Sequence, residues 1–163
     1  MLEKILVSSC LLGNPVRYDG TGATSIHPIL QQWLAENRLI AACPEILACL
    51  PTPRSPAEIK GDNTGMGVLN QTAKVIEKSG KDITKIFIEG AEKTLTLVKK
   101  HNIKMAILKA RSPSCASLQT YDGSFSLKFV DGQGVTSALL IKHGCKVFNE
   151  EHLKEAKEYF DNI

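Results

Sequence analysis

The chain contains 163 residues, of which 43% are hydrophobic and 23% are charged, and its formal net charge is +3. This length suffices for one domain with a substantial core, and the composition is that of an ordinary globular protein in water. So small a charge does not indicate a nucleic-acid partner, because a solvated lysine surface explains it more simply. No apolar run approaches the ~18 residues of a membrane span, and the N-terminus lacks the features of a signal peptide. We therefore expect a cytoplasmic protein, with reduced thiols and no membrane partner.

The first part of the chain alternates between apolar runs and helical spacing. A run of β-branched and apolar residues predicts a buried first strand, and apolar residues spaced by three and four predict a helix after it. In chain order, the predicted elements are a strand at 2–8, a helix at 28–37, a strand at 39–42 and one or two helical turns at 46–50.

The segment that follows is rich in proline and then in polar residues. Three prolines between Pro51 and Pro56 predict a rigid, extended loop. Residues 60–80 are polar and contain glycine, and they predict a loop with a small hairpin around residues 73–77. The composition of residues 61–70 is compatible with disorder.

The second half of the chain again alternates between helices and strands. Asp82 or Thr84 is expected to cap the longest helix, and Asn149 is expected to cap the final one. In chain order, the predicted elements are a helix at 84–102, a strand at 104–109, a helix at 135–143, a strand at 145–148 and a helix at 150–161.

This order of elements indicates an α/β protein. Strands that alternate with helices form a mainly parallel sheet, with helices on both faces and right-handed crossovers between strands. We therefore expect residues 1–163 to form a single domain with a Rossmann-like, three-layer fold.

Three of the five cysteines follow predicted strands. Cys10, Cys43 and Cys115 each lie in polar or proline-rich surroundings just after an apolar run, whereas Cys49 and Cys145 are more typical of core residues. An odd number of cysteines without a CxxC pair argues against disulfides, a zinc finger or a thioredoxin-like site. Ligands bind beyond the carboxyl ends of parallel strands, so we expect these three thiols to converge there. Their soft sulfur atoms favour zinc or an iron–sulfur cluster, with one coordination position left open.

Several blocks of the sequence resemble the DUF523 family. They occur in the expected order over almost the whole chain. The blocks are Ser9-Cys10-Leu11-Leu12-Gly13, Val16-Arg17-Tyr18-Asp19-Gly20, Cys43-Pro44-Glu45, Leu50-Pro51-Thr52-Pro53-Arg54, Leu108-Lys109, Arg111-Ser112-Pro113-Ser114-Cys115, Tyr121-Asp122-Gly123-Ser124-Phe125 and Gly132-Gln133-Gly134-Val135-Thr136. Two departures are Ala116, where the family commonly has glycine, and the pair Ala48-Cys49, which replaces a small, glycine-rich pair.

The DUF523 family includes thiouracil desulfidases, which remove sulfur from a thiolated pyrimidine. The resemblance implies a [4Fe–4S] cluster that is held by Cys10, Cys43 and Cys115 and has one iron open to the sulfur of the substrate. It therefore implies a non-redox desulfidase that acts on small thiolated bases such as 2-thiouracil and releases sulfide.

Polar residues near these cysteines are candidates for roles in the reaction. Glu45 is expected to be the general base that activates water. Ser112 and Ser114 are expected to donate hydrogen bonds to the substrate or to developing charge. The remaining candidates are expected to position the substrate or to support the loops. They are Arg17, Asp19, Arg54 and Lys109.

The sequence leaves two alternative functions open. The cysteines could hold zinc or a cluster for sulfur or metal handling without turnover. Insertion of sulfur into nucleotides or tRNA is less well supported, because it normally needs ATP and the chain has no P-loop motif.

Overall fold

The computed structural model describes residues 2–163, and within them the elements follow one another in an alternating order. The first seven are β1 (Ile5–Ser8), α1 (Pro28–Ala35), β2 (Leu39–Ala42), α2 (Pro44–Leu47), β3 (Ala57–Gly61), α3 (Thr64–Leu69) and β4 (Ala73–Glu77). The next are α4 (Thr84–Lys100), β5 (Met105–Ile107), β6 (Gln119–Tyr121), β7 (Phe129–Asp131), α5 (Val135–Lys142), β8 (Lys146–Phe148) and α6 (Leu153–Asp161).

The central sheet is parallel, as the sequence predicts, and its strand order is β2–β1–β5–β8. The chain moves outward from β1 to β2 and then returns to place β5 on the other side of β1. The order of connection therefore reverses between β1 and β5. In open parallel sheets such a reversal opens a crevice at the carboxyl ends of the two strands, where ligands bind.

Helices cover both faces of this sheet, because the side chains of its strands alternate in direction. Leu6 on β1 belongs to one buried cluster, together with residues of α4 and α5 such as Val98 and Leu140. Its neighbours Ile5 and Val7 belong to a second cluster, with residues from α1 and α6. Each fully buried aliphatic side chain contributes about 1.5–3 kcal/mol, so the two clusters hold the three layers together.

The prediction for residues 60–80, a loop with a small hairpin around residues 73–77, is wrong, because residues 73–77 form one strand. The chain instead forms β3, α3 and β4, and the two strands pair in antiparallel fashion from Ala57 opposite Glu77 to Gly61 opposite Ala73. Apolar residues from this unit pack against α4 in a third buried cluster. Glycine makes the packing of α3 possible, since a Cβ atom on Gly67 would lie 1.7 Å from the carbonyl oxygen of Asp62.

The start of the last helix also differs from the prediction. α6 begins at Leu153, three residues later than expected, and Asn149 does not cap it. The side-chain oxygen of Asn149 accepts a hydrogen bond of 2.8 Å from the backbone N–H of Glu151. This bond closes a turn before the helix, a conformation for which asparagine competes well.

We expect Gly67→Ala to lower the free energy of unfolding by at least about 2 kcal/mol, because the added methyl group overlaps the backbone of Asp62. Gly80→Ala is the matched control: nothing lies within 4 Å of its Cβ position, and its φ of +95° predicts a loss of about 1 kcal/mol. Urea unfolding of both variants measures the difference. Equal losses would contradict the proposed close packing of α3.

Candidate active site

Cys10 lies in a 3₁₀ turn, Ser9–Leu12, directly after β1. Its backbone carbonyl accepts hydrogen bonds from the N–H groups of Gly13, at 3.1 Å, and Ala23, at 2.8 Å. Gly13 has a φ of +93°, which glycine adopts without a steric penalty and which ends the turn. These contacts fix the backbone that carries the first thiol, and its side chain is buried.

Cys43 precedes the first residue of α2, and Pro44 occupies the position where proline best starts a helix. The carbonyl of Cys43 accepts a hydrogen bond of 2.9 Å from the N–H of Leu47. α4 packs closely against this turn at Gly90, where a Cβ atom would lie 2.3 Å from the Pro44 oxygen. The second thiol is therefore held at the start of α2, a short helix that packs tightly against the longer α4.

Cys115 is buried in the loop after β5, and Ser112 organises this loop. The hydroxyl oxygen of Ser112 accepts hydrogen bonds of 3.1 Å from the backbone N–H groups of both Ser114 and Cys115. The loop thus turns back on itself around one serine side chain.

The N-terminus of α5 anchors the same loop. The N–H of Val135 donates to the oxygen of Pro113, at 2.8 Å, and the hydroxyl of Ser137 donates to the oxygen of Cys115, at 2.7 Å. The backbone of Gly134 passes so close that a Cβ atom would lie 2.5 Å from the carbonyl carbon of Ser114. The glycine-rich block before α5 therefore serves to position the third cysteine.

The three cysteines line one cavity of about 520 Å³ at the carboxyl edge of the sheet. Polar and charged side chains share its wall with apolar ones. Beyond the cysteines, the lining includes Ser8, Arg17, Glu45, Arg54, Glu58, Lys78, Lys109, Ser112, Tyr121, Phe125 and Leu127. The expected convergence of the thiols is thus present in the structure.

Burial governs the acidity of these thiols. It raises the pKa of Cys10 to about 11, with a further contribution from the adjacent Cys43. The cations of Lys109 and Arg17 oppose this rise. Burial also raises the pKa values of Cys43 and Cys115. Without a metal the thiols are protonated near neutral pH, and metal binding must displace their protons.

Glu45 lies at the same edge, at the start of α2, and its two oxygens have different partners. One accepts a hydrogen bond of 3.0 Å from Nε of Arg54, and the other accepts one of 3.2 Å from the hydroxyl of Ser114. Arg54 also donates to the carbonyl oxygens of Val16, at 2.9 Å, and Pro51, at 3.1 Å. The carboxylate is therefore held in a fixed orientation beside the thiols.

The donor set fits a polynuclear iron–sulfur group. Within residues 2–163, no three Cys, His, Asp or Glu side chains are grouped so as to hold one metal ion. A single zinc ion with Zn–S bonds of about 2.3 Å needs its sulfur ligands within about 4.6 Å of one another. Cysteines that bind different irons of a cluster need not lie so close. Three soft thiols around one roomy cavity agree with the second arrangement.

The chain resembles known proteins in both sequence and structure. The profile of the 2-thiouracil desulfurase family matches residues 5–152. The chain belongs to that family. The protein YbbK of Bacillus subtilis (strain 168), described as uncharacterized, is 47% identical over 151 residues, which cover 93% of this chain and 98% of YbbK. A solved structure of the [4Fe–4S]-dependent thiouracil desulfidase TudS matches with a TM-score of 0.90 and 42% identity, over 99% of each chain.

Most of the site residues predicted for this desulfurase-family chain line the cavity. Asp19 and Ser114 are not among the lining residues. Asp19 accepts hydrogen bonds from the N–H of Thr21, at 3.0 Å, and from its hydroxyl, at 2.6 Å, and so closes a surface turn. Ser114 is buried and contacts the cavity wall through Glu45.

Lys109 lines the cavity, and its ammonium group is also held by the protein. Its Nζ lies 3.0 Å from a carboxylate oxygen of Glu150 in a largely buried ion pair. The other oxygen of Glu150 accepts a hydrogen bond of 2.7 Å from the N–H of Ala110. Glu150 thus supports the chain between β5 and the Cys115 loop, a role that the sequence did not indicate.

Several cavity residues were not identified from the sequence. Phe125 belongs to a block that resembles the family, which was an available signal. Glu58 and Lys78 gave no such signal, because they lie in or beside the segment whose fold was predicted incorrectly.

The two departures from the family pattern have different backbone environments. Ala116 is not among the residues with positive φ, so its methyl group imposes no left-handed strain. Cys49 has a φ of +65° and an exposed side chain. That conformation favours glycine, in agreement with the small residues of the family at this position.

We expect Arg54→Lys to lower the free energy of unfolding by about 2 kcal/mol or more, because lysine cannot reproduce the planar set of bonds to Glu45 and to backbone oxygens. The Arg54 side chain is only 6% exposed. Arg111→Lys is the control, since the Arg111–Glu151 ion pair is 37% and 48% exposed and should contribute less than about 1 kcal/mol. Similar losses in chemical denaturation would argue against a buried network around Glu45.

Proposed function

We propose that this protein is a non-redox, [4Fe–4S]-dependent desulfidase, which removes sulfur from thiolated pyrimidines such as 2-thiouracil and releases sulfide. Membership of the 2-thiouracil desulfurase family supports the substrate class. The observation that carries the proposal is structural: the thiols of Cys10, Cys43 and Cys115 line one cavity together with the fixed carboxylate of Glu45.

Cys10, Cys43 and Cys115 are the residues that would hold the cluster, each through its thiolate. When bound, a cluster with one iron that lacks a cysteine ligand supplies Lewis-acid chemistry toward a thiocarbonyl sulfur. Lys109 and Arg17, whose cations favour the thiolate of Cys10, offset part of the negative charge that the deprotonated cysteines introduce.

Glu45 is proposed to act as the general base. Its carboxylate takes a proton from a water molecule, whose oxygen forms a bond to the ring carbon as the C=S double bond becomes a single bond. The remaining carbon–sulfur bond then breaks as the carbonyl forms, and the sulfur leaves with both protons of the water, one of them returned by Glu45. Water and a thiocarbonyl give a carbonyl and hydrogen sulfide, so no electron donor or acceptor is needed. Arg54 and Ser114 hold Glu45 in position, and their contacts to both oxygens support this assignment.

The substrate is proposed to contact side chains on the wall around the cysteines. Arg17, Lys109 and Ser112 line the cavity and offer hydrogen-bond donors to a carbonyl or thiocarbonyl group. Arg54 is more directly engaged with Glu45, and Asp19 supports the turn that carries Arg17.

A small thiolated base is the proposed partner, and we propose a cytoplasmic location in which the cysteines stay reduced. No helix among residues 2–163 has the length and apolar character of a membrane span. We further propose that residues 1–163 form one domain and that neither nucleic acid nor membrane is a partner.

Anaerobic reconstitution with iron and sulfide, followed by a sulfide-release assay on a panel of thiolated bases, tests the function. We expect roughly four irons per chain and catalytic release of sulfide from 2-thiouracil. A bound cluster without release of sulfide would instead indicate a protein that handles sulfur or metal without catalysing the reaction. One bound zinc ion per chain would contradict the cofactor assignment.

Serine substitutions test the cluster ligands. We expect Cys10→Ser, Cys43→Ser and Cys115→Ser each to abolish the visible absorbance of the reconstituted cluster and the activity, because a neutral hydroxyl is a poor ligand for iron. Cys49→Ser and Cys145→Ser are the controls, and both should keep four irons. A full-strength cluster in the Cys115→Ser protein would show that the ligand assignment is wrong.

The variant Glu45→Gln separates catalysis from cluster binding. We expect the cluster spectrum to be unchanged and kcat to fall by about 10²- to 10⁴-fold, because glutamine cannot accept the proton of water. Glu155→Gln, on the exposed side of α6, should retain full activity. Turnover of the Glu45→Gln protein at the wild-type rate would eliminate Glu45 as the base.

A further inference from the structure

A second carboxylate, that of Glu58 on β3, lines the cavity that holds the cysteines. Glu58 is only 8% exposed, and within residues 2–163 it forms no salt bridge. A carboxylate that is buried without a cation needs hydrogen-bond donors to offset its lost hydration. The position of those donors indicates what Glu58 does.

One oxygen of Glu58 anchors the loop between β6 and β7. Oε1 accepts hydrogen bonds from the backbone N–H groups of Gly123, at 3.0 Å, and Phe125, at 3.1 Å. The loop lies directly on β3, since a Cβ atom on Gly123 would be 2.7 Å from the carbonyl oxygen of Ile59. These bonds join parts of the chain that are 65 and 67 residues apart.

The anchored loop forms part of the cavity wall. Phe125 and Leu127 both line the cavity, and both have left-handed backbones, with φ of +55° and +62°. Such conformations are costly for residues with large side chains and persist where surrounding contacts impose them. The carboxylate of Glu58 supplies contacts of this kind.

The second oxygen of Glu58 is available to a ligand. Within the described part of the chain, Oε2 has no hydrogen-bond partner. It also remains in contact with solvent, since it is absent from the fully buried side-chain atoms that lack a partner. Glu58 lines the cavity, and an Oε2 atom that faces it would present a hydrogen-bond acceptor there. A thiolated pyrimidine carries N–H donors in its ring, next to the thiocarbonyl group.

We propose that Glu58 has two roles: Oε1 positions the loop that carries Phe125 and Leu127, and Oε2 accepts a hydrogen bond from a ring N–H of the substrate. The second role rests on the proposed desulfidase function, whereas the first does not. Glu58 thereby selects bases with a free ring N–H and distinguishes them from N-substituted analogues.

The variants Glu58→Gln and Glu58→Ala separate the two roles. In the Gln variant, the amide oxygen can keep both bonds to the loop, which leaves an NH₂ donor at the position of Oε2. The Ala variant removes both functions. Glu77→Ala, on the neighbouring strand β4 and outside the cavity lining, is the control.

Hydrogen exchange of the holoprotein, measured by mass spectrometry on peptides that cover residues 119–131, tests the loop. We expect protection of the amides of Gly123 and Phe125 in the wild type, the Gln variant and the Glu77→Ala control, and faster exchange in the Ala variant. Equal exchange in the wild type and the Ala variant would overturn the positioning role, whether or not the protein is a desulfidase.

Steady-state kinetics with 2-thiouracil and its 1-methyl and 3-methyl analogues tests the substrate contact. In the wild type, we expect one analogue to have a KM about ten- to hundredfold above that of the parent compound. In Glu58→Gln, the parent's KM should rise by a similar factor, kcat should change much less, and the penalty for methylation should disappear.

A methylation penalty of equal size in both proteins would show a steric effect and would overturn the contact. If the wild type released no sulfide from 2-thiouracil, the proposed function and the substrate contact would fail together, and the exchange experiment would still decide the positioning role.

Discussion

The parallel register of β2, β1 and β5 is the constraint on which the site depends. Ser8 at the end of β1 is paired with Ala42 at the end of β2, so the residues that follow them leave the sheet side by side. Cys10 and Cys43 occur within two positions of these strand ends. A shift of β2 by one residue would reverse which side chains face the core and would separate the two thiols.

Charge balance is a second property of the site. Burial keeps the apoprotein thiols neutral, and bound thiolates would add negative charge next to the carboxylate of Glu45. The structure places cations where they offset that charge: Arg54 contacts Glu45 directly, and Lys109 and Arg17 oppose the rise in the pKa of Cys10. An ion pair that also orients a carboxylate serves both geometry and electrostatics.

The sequence predicted the parallel sheet because buried strands and amphipathic helices have distinct periodicities. It also predicted the convergence of three cysteines, because the carboxyl ends of parallel strands share an edge. It could not reveal α3, which passes so close to a distant part of the backbone that a Cβ atom on Gly65 would lie 2.3 Å from the carbonyl oxygen of Gly134. Nor did it identify Glu58, because the donors that fix this carboxylate lie more than 60 residues away. Long-range partners of glycine and buried polar groups leave little local signal in a sequence.

The bonds between α5 and the Cys115 loop bear on the order in which the protein is assembled. Ser137 donates to the carbonyl of Cys115, so part of the support of the third cysteine comes from a residue that is synthesised 22 positions later. A nascent chain that ends before α5 contains all three cysteines but lacks the helix end that shapes the last loop. The cavity wall therefore has its full set of backbone contacts only once α5 has been synthesised.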